Sequence, residues 1–477
     1  MSHDTLIPLW PGMEYHSHQV VGIKWMLAHE IDGTTVETAH GREHIYGGIQ
    51  CDDMGLGKTI QTAAVMQNNP LPRTLLVAPL AMLDTWAGVL ERAGFTVMRA
   101  AAGSVWAGKV IRSRPSVFIA GYERLVASPS LARAGFDRII LDEAHKIRNP
   151  DSEAARTMRK ISAPIRWALT GTPIVNKRQD IVSLMAFIGV PCGALYRWKD
   201  DYEDLLPELM IHRSMEEMRP VLDAAPPVPV MNEITLDFAT EEEAEFYRGI
   251  QGTLESKLAA FKHDLLTPQQ RFLLLLRLRQ ISVHPQVYIS AKRRENRAYR
   301  REDWTGVPTK VAALKGLVDE GVEAGHRYLV FCQFVEEMSL IGAELRTGGH
   351  AVACYHGGMS QKERSAALGA GADVLLMQIQ AGGVGLNLQE YDRCVFMSPW
   401  WTAALMDQAI ARTVRMGQKA EVHVIHLRLA EEASLNIDAL IAEKAEQKRE
   451  ILEDILAMRA DVCCEADRES SCEADSD

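Results

Sequence analysis

The stretch YGGIQCDDMGLGKTIQTAAVM, residues 46–66, decides how the chain is read. A run of small residues opens directly into a helix-forming segment. Gly55, Gly57, Lys58 and Thr59 make the back half of a phosphate-binding loop. Glycines let backbone N–H groups close around phosphate oxygens, Lys58 adds a positive charge, and Thr59 offers a hydroxyl to Mg²⁺. A nucleotide is therefore expected along Asp53, Met54, Gly55, Leu56, Gly57, Lys58 and Thr59. The strict pattern G-x-x-x-x-G-K-[ST] fails at its first position, where Asp52 stands. A helix starting after a glycine turn is the competing reading. A Mg²⁺ carboxylate, a γ-phosphate sensor and a nucleic-acid surface elsewhere would decide between them.

With 477 residues, 47 % of them hydrophobic, the chain exceeds one core and predicts two or three domains. Cysteines at 51, 192, 332, 354 and 394 lack metal-ligand spacing and read as reduced thiols of an intracellular protein. Cys463, Cys464 and Cys472 lie in the tail with no histidine or second CxxC beside them, and read as free thiols. No stretch has the pattern of a secretion leader or a membrane span. The net charge of −11 is uneven: residues 461–477 hold seven acids against one arginine, leaving −5 for the other 460. Residues 271–301 instead hold nine lysines and arginines against Glu295 alone. That block suits either phosphate contact or a solvated helical face.

Ahead of the loop, HSHQVVGIKWMLAHE (residues 16–30) has the apolar spacing of a helix. Gln19 within it carries a donor and an acceptor that suit the edge of adenine. Downstream, RTLLVA, PSVFIA and FDRIILD read as buried strands alternating with helices, the pattern of a parallel sheet with right-handed crossovers. Such sheets bind ligands at the carboxyl ends of their strands, where Asp142 and Glu143 fall. Asp142 suits the Mg²⁺ that bridges phosphates, and Glu143 the attacking water. WALTGTP (residues 167–173) gives another short strand. Its Thr170 and Thr172 either couple the nucleotide site to a moving lobe or form a plain turn.

From residue 181 to about 303 the pattern turns helical and charged, interrupted by the linker-like DAAPPVPV, residues 223–230. Strand–helix alternation then resumes from residue 326 to 429 without a second phosphate loop. The glycine-rich QAGGVGLNL, with Gly385, can approach a nucleotide or a nucleic-acid backbone. In MDQAIARTVRMGQ, Arg412 and Arg415 are expected on one helical face, with Gln408 nearby. Arginines on a lobe opposite a phosphate loop can meet γ-phosphate charge when lobes close, which is a motor stroke if each lobe grips a polymer.

Taken together and in order, HQVVGIKWM, GGIQCDDMGLGKT, LLVAPLAMLDTW, LDEAHKIRN, LTGTPIVN, MIHRSMEEM, LRQISVHP, VPTKVAALKGLV and PWW followed by QAIARTVRMGQ resemble the motifs of Swi/Snf-type ATPases. These are the double-strand DNA translocases of the second helicase superfamily. In that family an acid at the Asp52 position is normal. Gln380 and Ser398 depart from it, standing where many members carry a basic and an acidic residue. The resemblance implies an α/β protein of two RecA-like parallel-sheet lobes in tandem with helical insertions between them. The expected division is an ATP-binding lobe over 1–190, helical protrusions and linker over 191–305, a second lobe over 306–450, and the end of a C-terminal helix with a disordered acidic tail over 451–477. It further implies ATP and Mg²⁺ held by Lys58, Thr59 and Asp142, with Arg412 and Arg415 completing the site. A monomeric motor would grip duplex DNA by its backbone, without processive strand separation, inside a cell wherever DNA is. No accessory domain is expected, so targeting would fall to a protein partner or to the acidic tail. A strand-separating DNA or RNA helicase and a non-catalytic ATP-binding scaffold are the rivals.

Overall fold

A run such as Leu75-Leu76-Val77 or Ile139-Ile140-Leu141 can be a strand only if both faces of its sheet are covered. The computed structural model shows that arrangement twice. It describes residues 6–38, 41–100, 115–128, 133–192, 202–222, 225–259, 267–382, 386–430 and 436–474. The chain divides into two compact units, residues 1–225 with 448–477, and residues 226–447.

In the first unit a hairpin pairs β1 (Thr34–Thr38) with β2 (Gly41–Ile45). The remaining strands are β3 (Gly47–Gln50), β4 (Arg73–Val77), β5 (Thr96–Arg99), β6 (Ser116–Ala120), β7 (Arg138–Asp142), β8 (Ile165–Leu169) and β9 (Met210–Ile211). They form one sheet in the order β5-β6-β4-β7-β8-β3-β9, and every pairing is parallel. Side chains alternate between two cores. Leu75, Val77, Ile139 and Leu141 enter one, and Leu76, Ile140, Trp167 and Leu169 the other.

The helix Ser17–Ile31 covers the second of these faces and is tied down near each end. Near its start His18 Nε2 meets the Leu56 carbonyl at 3.0 Å. Near its end Glu30 is fully enclosed and pairs with buried Arg138 of β7. Trp167 Nε1 and Asn69 Nδ2 each donate to the same carboxylate at 2.8 Å.

The second unit contains β10 (Val230–Leu236), β11 (Tyr328–Cys332), β12 (Val352–Tyr355), β13 (Val374–Gln378), β14 (Arg393–Phe396) and β15 (His423–Leu429). Their order is β10-β15-β14-β11-β13-β12, again parallel throughout. One alternation differs from the sequence reading. Residues 230–236, which begin at the last residue of the linker-like run 223–230 and continue into a stretch read as helical and charged, form an edge strand beside β15. Only alternate side chains of β10 are half-buried, so its apolar run is too thin to stand out. Lys310 anchors this unit: its Nζ donates to Asp438 Oδ2 at 2.6 Å, to the Met397 carbonyl at 2.9 Å and to Ser282 Oγ at 3.2 Å. Among the described residues no helix is long and apolar enough to cross a membrane.

Arg138→Met would leave Glu30 buried without its counter-charge. The expected loss is about 3 kcal/mol from the first unit, since breaking one side of a buried pair strands the other. Urea unfolding followed by tryptophan fluorescence checks it, and an unshifted midpoint would refute it.

Candidate nucleotide site

Three strands of the first sheet finish in one row. Gln50 of β3 lies opposite Leu169 of β8, which lies opposite Asp142 of β7. The residues that leave this row are the loop 51–57, Thr170 and Glu143, all at the carboxyl edge of a parallel sheet. That edge is where open α/β sheets hold their ligands.

The loop is shaped by two glycines, Gly55 at φ 95° and Gly57 at φ 82°, in the left-handed region that other residues enter at a cost. Gly57 caps the helix Lys58–Asn68, whose first turn carries Thr59. A Cβ on Gly57 would also lie 2.4 Å from Gln19 Nε2, so the glycine makes room for that amide. Gln19 is buried, and its Oε1 accepts the His16 N–H at 3.2 Å. Lys58 Nζ donates to the carbonyls of Asp52 and Asp53. Lys58 therefore stays folded back over the loop.

Asp52, which broke the strict loop pattern, is fully enclosed. Its Oδ2 accepts from Arg213 Nη2 at 2.5 Å, Gln50 Nε2 at 2.8 Å and Gln61 Nε2 at 3.0 Å, and its Oδ1 from Arg213 Nε at 3.0 Å. Burial alone would push this carboxyl up. The charge and hydrogen bonds of Arg213 outweigh it and hold the group below its ordinary value. Arg213 also reaches the His18 carbonyl, while its own carbonyl accepts the Asp53 N–H at 2.9 Å. Asp53 Oδ2 accepts the Met215 N–H at 2.8 Å. Arg213, Gln61 and His18 were not foreseen as site residues. The available signal was Asp52 itself, because an acid amid apolar residues and glycines requires a buried partner.

Asp142 is 8 % exposed. Trp86 Nε1 donates to its Oδ2 at 2.7 Å and the Glu143 N–H to its Oδ1 at 3.0 Å. Burial, followed by the adjacent Glu143 charge, pushes the Asp142 carboxyl from 3.8 up to about 6, against the pull of Trp86 and Lys58. Glu143 has φ 51°, the one positive value among described residues other than glycine. Such a conformation costs on the order of 1 kcal/mol and clusters at functional sites. Glu143 Oε2 lies 3.3 Å from His145 Nδ1, which lies 3.4 Å from Thr170 Oγ1, and that oxygen accepts the Thr172 N–H at 3.1 Å. The expected coupling threonines are thus joined to Glu143 through His145.

Thr59 and Asp142 fit Mg²⁺, being hard oxygen donors on the two sides of the row. The raised Asp142 pKa means that the surrounding groups leave its charge incompletely compensated, which a divalent cation would remedy.

In the second unit Gln408 closes toward the end of the helix Ala403–Ile410 and is buried. The helix stops before Arg412, so Arg412 and Arg415 do not share a helical face as the i, i+3 spacing predicted. They ride on successive turns instead. Gln389 Nε2 donates to the carbonyls of Arg415 at 3.2 Å and Met416 at 2.9 Å, and the Leu388 N–H to that of Arg412 at 3.1 Å. These bonds capture carbonyls that a continuing helix would need. Arg412 is buried and Arg415 exposed. Gly385 lies outside the described residues.

A phosphate loop and an acidic pair in one row of a parallel sheet, followed by a second parallel α/β unit without such a loop, define the class of two-lobed P-loop ATPases. Residues 18–287 match the SNF2-related domain and residues 309–417 the helicase conserved C-terminal domain. The chain belongs to the SNF2-related ATPase family. It is 28 % identical over 449 residues to the "Probable global transactivator" of Orgyia pseudotsugata multicapsid polyhedrosis virus, covering 88 % of this chain and 87 % of that one. It is 25 % identical to an "Uncharacterized ATP-dependent helicase" of Mycoplasma pneumoniae, covering 92 % of this chain but only 42 % of the relative. A Sulfolobus solfataricus SWI2/SNF2 ATPase core solved in complex with dsDNA superposes with a TM-score of 0.41 at 22 % identity, covering 94 % of this chain and 95 % of that one.

Arg213→Met leaves Asp52 charged and unpaired beneath the loop. Stability should fall by about 3 kcal/mol, and the rise in Tm given by saturating ATP should vanish. A variant that keeps the full ATP-dependent rise would show that the loop does not need this pair.

Proposed function

We propose that the protein is a motor that hydrolyses ATP when bound to duplex DNA and moves along it by backbone contacts, remodelling or displacing bound proteins or DNA structures without separating the strands. The observation that carries this reading is the row uniting the loop, Thr170 and the Asp142–Glu143 pair, in a chain of the SNF2-related family. Lys58 leaves the Asp52 and Asp53 carbonyls for the phosphates, and Gln19 meets the adenine edge. Thr59 and Asp142 hold Mg²⁺, which when bound neutralises charge on the β- and γ-phosphates. Glu143 orients the attacking water and accepts its proton. Arg412 and Arg415 reach the γ-phosphate from the second unit when the units close, and Thr170, Thr172 and Gln408 transmit that event. The protein acts as a monomer inside cells, wherever DNA is, and a protein partner directs it.

The polymer dependence of ATP turnover tests the reading. Duplex DNA should stimulate more than single strands or RNA, and a triplex-forming strand should be displaced from a duplex that stays paired. Little stimulation by duplex, or unwinding, would move the protein to the helicases, the class after which the Mycoplasma relative is named. Glu143→Gln should retain ATP binding and lower kcat by at least roughly a hundredfold, the lower range for losing a general base. An unchanged rate would remove Glu143 from the mechanism.

The Asp142 titration gives a pH dependence. Its pKa in the folded protein is raised to about 6, so the carboxyl carries a proton below that pH. A metal ligand must be ionised, so affinity for Mg²⁺ with ATP should fall as pH drops through about 6, approaching tenfold per pH unit below it. Titrations with a fluorescent ATP analogue from pH 5 to 8 follow this. Glu143→Gln should move the inflection to lower pH, since the Glu143 charge is one of its causes.

A further inference from the structure

The nine basic residues of 271–301 are not equivalent once folded. Arg277 and Arg279 are buried: Arg277 donates to Gln280 Oε1 at 2.6 Å, while Arg279 donates to the Pro399 carbonyl at 3.1 Å and lies 4.9 Å above the Trp400 ring. Lys292 pairs with Glu295 at 2.9 Å, and Arg294 with Glu336 at 3.0 Å. Arg293 pairs with Asp303 at 2.5 Å and also donates to the Arg301 carbonyl. Of the other four, the Arg271 side chain lies outside the described residues, and Arg297, Arg300 and Arg301 are exposed with no carboxylate partner among the described residues.

These three are fixed on a folded loop. It begins where the helix Pro285–Glu295 ends at Asn296. Asn296 Oδ1 accepts the Ala298 N–H at 2.9 Å, and its carbonyl the Tyr299 N–H at 3.0 Å. Arg300 Nη1 donates to the Arg297 carbonyl, and the Arg301 guanidinium lies 3.8 Å above the Phe246 ring. Arg293, Arg297, Tyr299, Arg300, Arg301 and Glu302 line an open groove of about 450 Å³. Arg293 thus spends its own charge within the fold while holding the loop that presents the others.

We propose that this groove is an electrostatic contact for the phosphate backbone of duplex DNA, made by Arg297, Arg300 and Arg301 on the second unit; the inference rests on the reading of the protein as a duplex-DNA motor. Guanidiniums present forked donors that match phosphate oxygens, and they keep their charge at any physiological pH. The other described basic side chains of the block are buried or paired with carboxylates, so these three offer their full charge to a polyanion. A contact of this kind carries no sequence preference and reveals itself through the release of counterions. Glu302 on the rim opposes phosphate, which favours an entry from the Arg297 and Arg300 side.

The test compares full-length protein with Arg297→Gln/Arg300→Gln, measuring Kd for a fluorescent duplex at several salt concentrations. Each lost phosphate contact lowers the slope of log K against log salt by about 0.9. The double variant should therefore lose about 1.8 from the slope, so that binding weakens at 50 mM salt and the gap closes roughly tenfold by 200 mM. Arg248→Gln/Arg428→Gln makes the same change in net charge at arginines already paired with Glu241 and Glu233, and should keep the parent slope. Circular dichroism and Tm establish that each variant is folded. If the parent protein binds duplex and the groove variant keeps its Kd and slope, the groove proposal is overturned while the motor reading stands. If the parent does not bind duplex at all, the motor reading itself fails. Loss of binding to polyglutamate with no loss for duplex would also overturn the proposal, assigning the groove to an acidic protein segment.

Discussion

The buried pair Asp52–Arg213 holds the nucleotide loop in place, and much of the first unit depends on it. Its members are 161 positions apart, yet around them meet β3 through Gln50, the loop through Asp53, the helix after the loop through Gln61, and the first helix through the His18 carbonyl. An ion pair removed from water gains little net stability. What it gives here is position: four segments share one set of hydrogen bonds, so none of them shifts without unpairing a buried charge. The glycines can then remain open to phosphate without the loop losing its shape. The second buried pair, Glu30–Arg138, holds the far end of the first helix. That helix of 15 residues, about 22 Å long at 1.5 Å per residue, thus carries Gln19 as a strut fixed near both ends.

The acidic side of the site is arranged in the opposite way. Asp52 is compensated by protein groups, whereas Asp142 is buried with its charge left only partly balanced beside Glu143. The two buried acids thus differ in how far the protein itself balances their charge. Glu143 adds a backbone conformation that must be held by its surroundings, and the His145–Thr170–Thr172 chain gives those surroundings a route away from the row.

The sequence was informative wherever a signal was local. β4, β6, β7 and β8 are short buried runs ended by glycine, proline or acid, and each was visible as such. The loop, Asp142 and Glu143 stand at strand ends that a parallel sheet must align. Signals made by distant pairing were not visible. Arg213 lies in a segment whose resemblance to a family motif gave it no chemical role until Asp52 was found beneath it. β10 alternates half-buried and exposed side chains next to a proline cluster, and only β15 makes it a strand. The turn at Arg412 was hidden because the residues from 403 onward suit a helix, and the hydrogen bonds from Gln389 that follow its end are tertiary.

The strand order has a consequence for how the protein is made. The second sheet's edge strand β10 finds its partner only in β15, nearly two hundred residues later, with Val230 opposite His423. The first unit waits longer still, because Ile455 is fully buried in its core and residues from 448 onward belong to it. A chain emerging from the ribosome can form the first sheet early, but the part of its core that Ile455 covers stays open until the second unit has been made. Neither unit closes before the other has been built. The last segments to be made therefore complete both units, the strand β15 beside β10 and the helix that carries Ile455 against the first core.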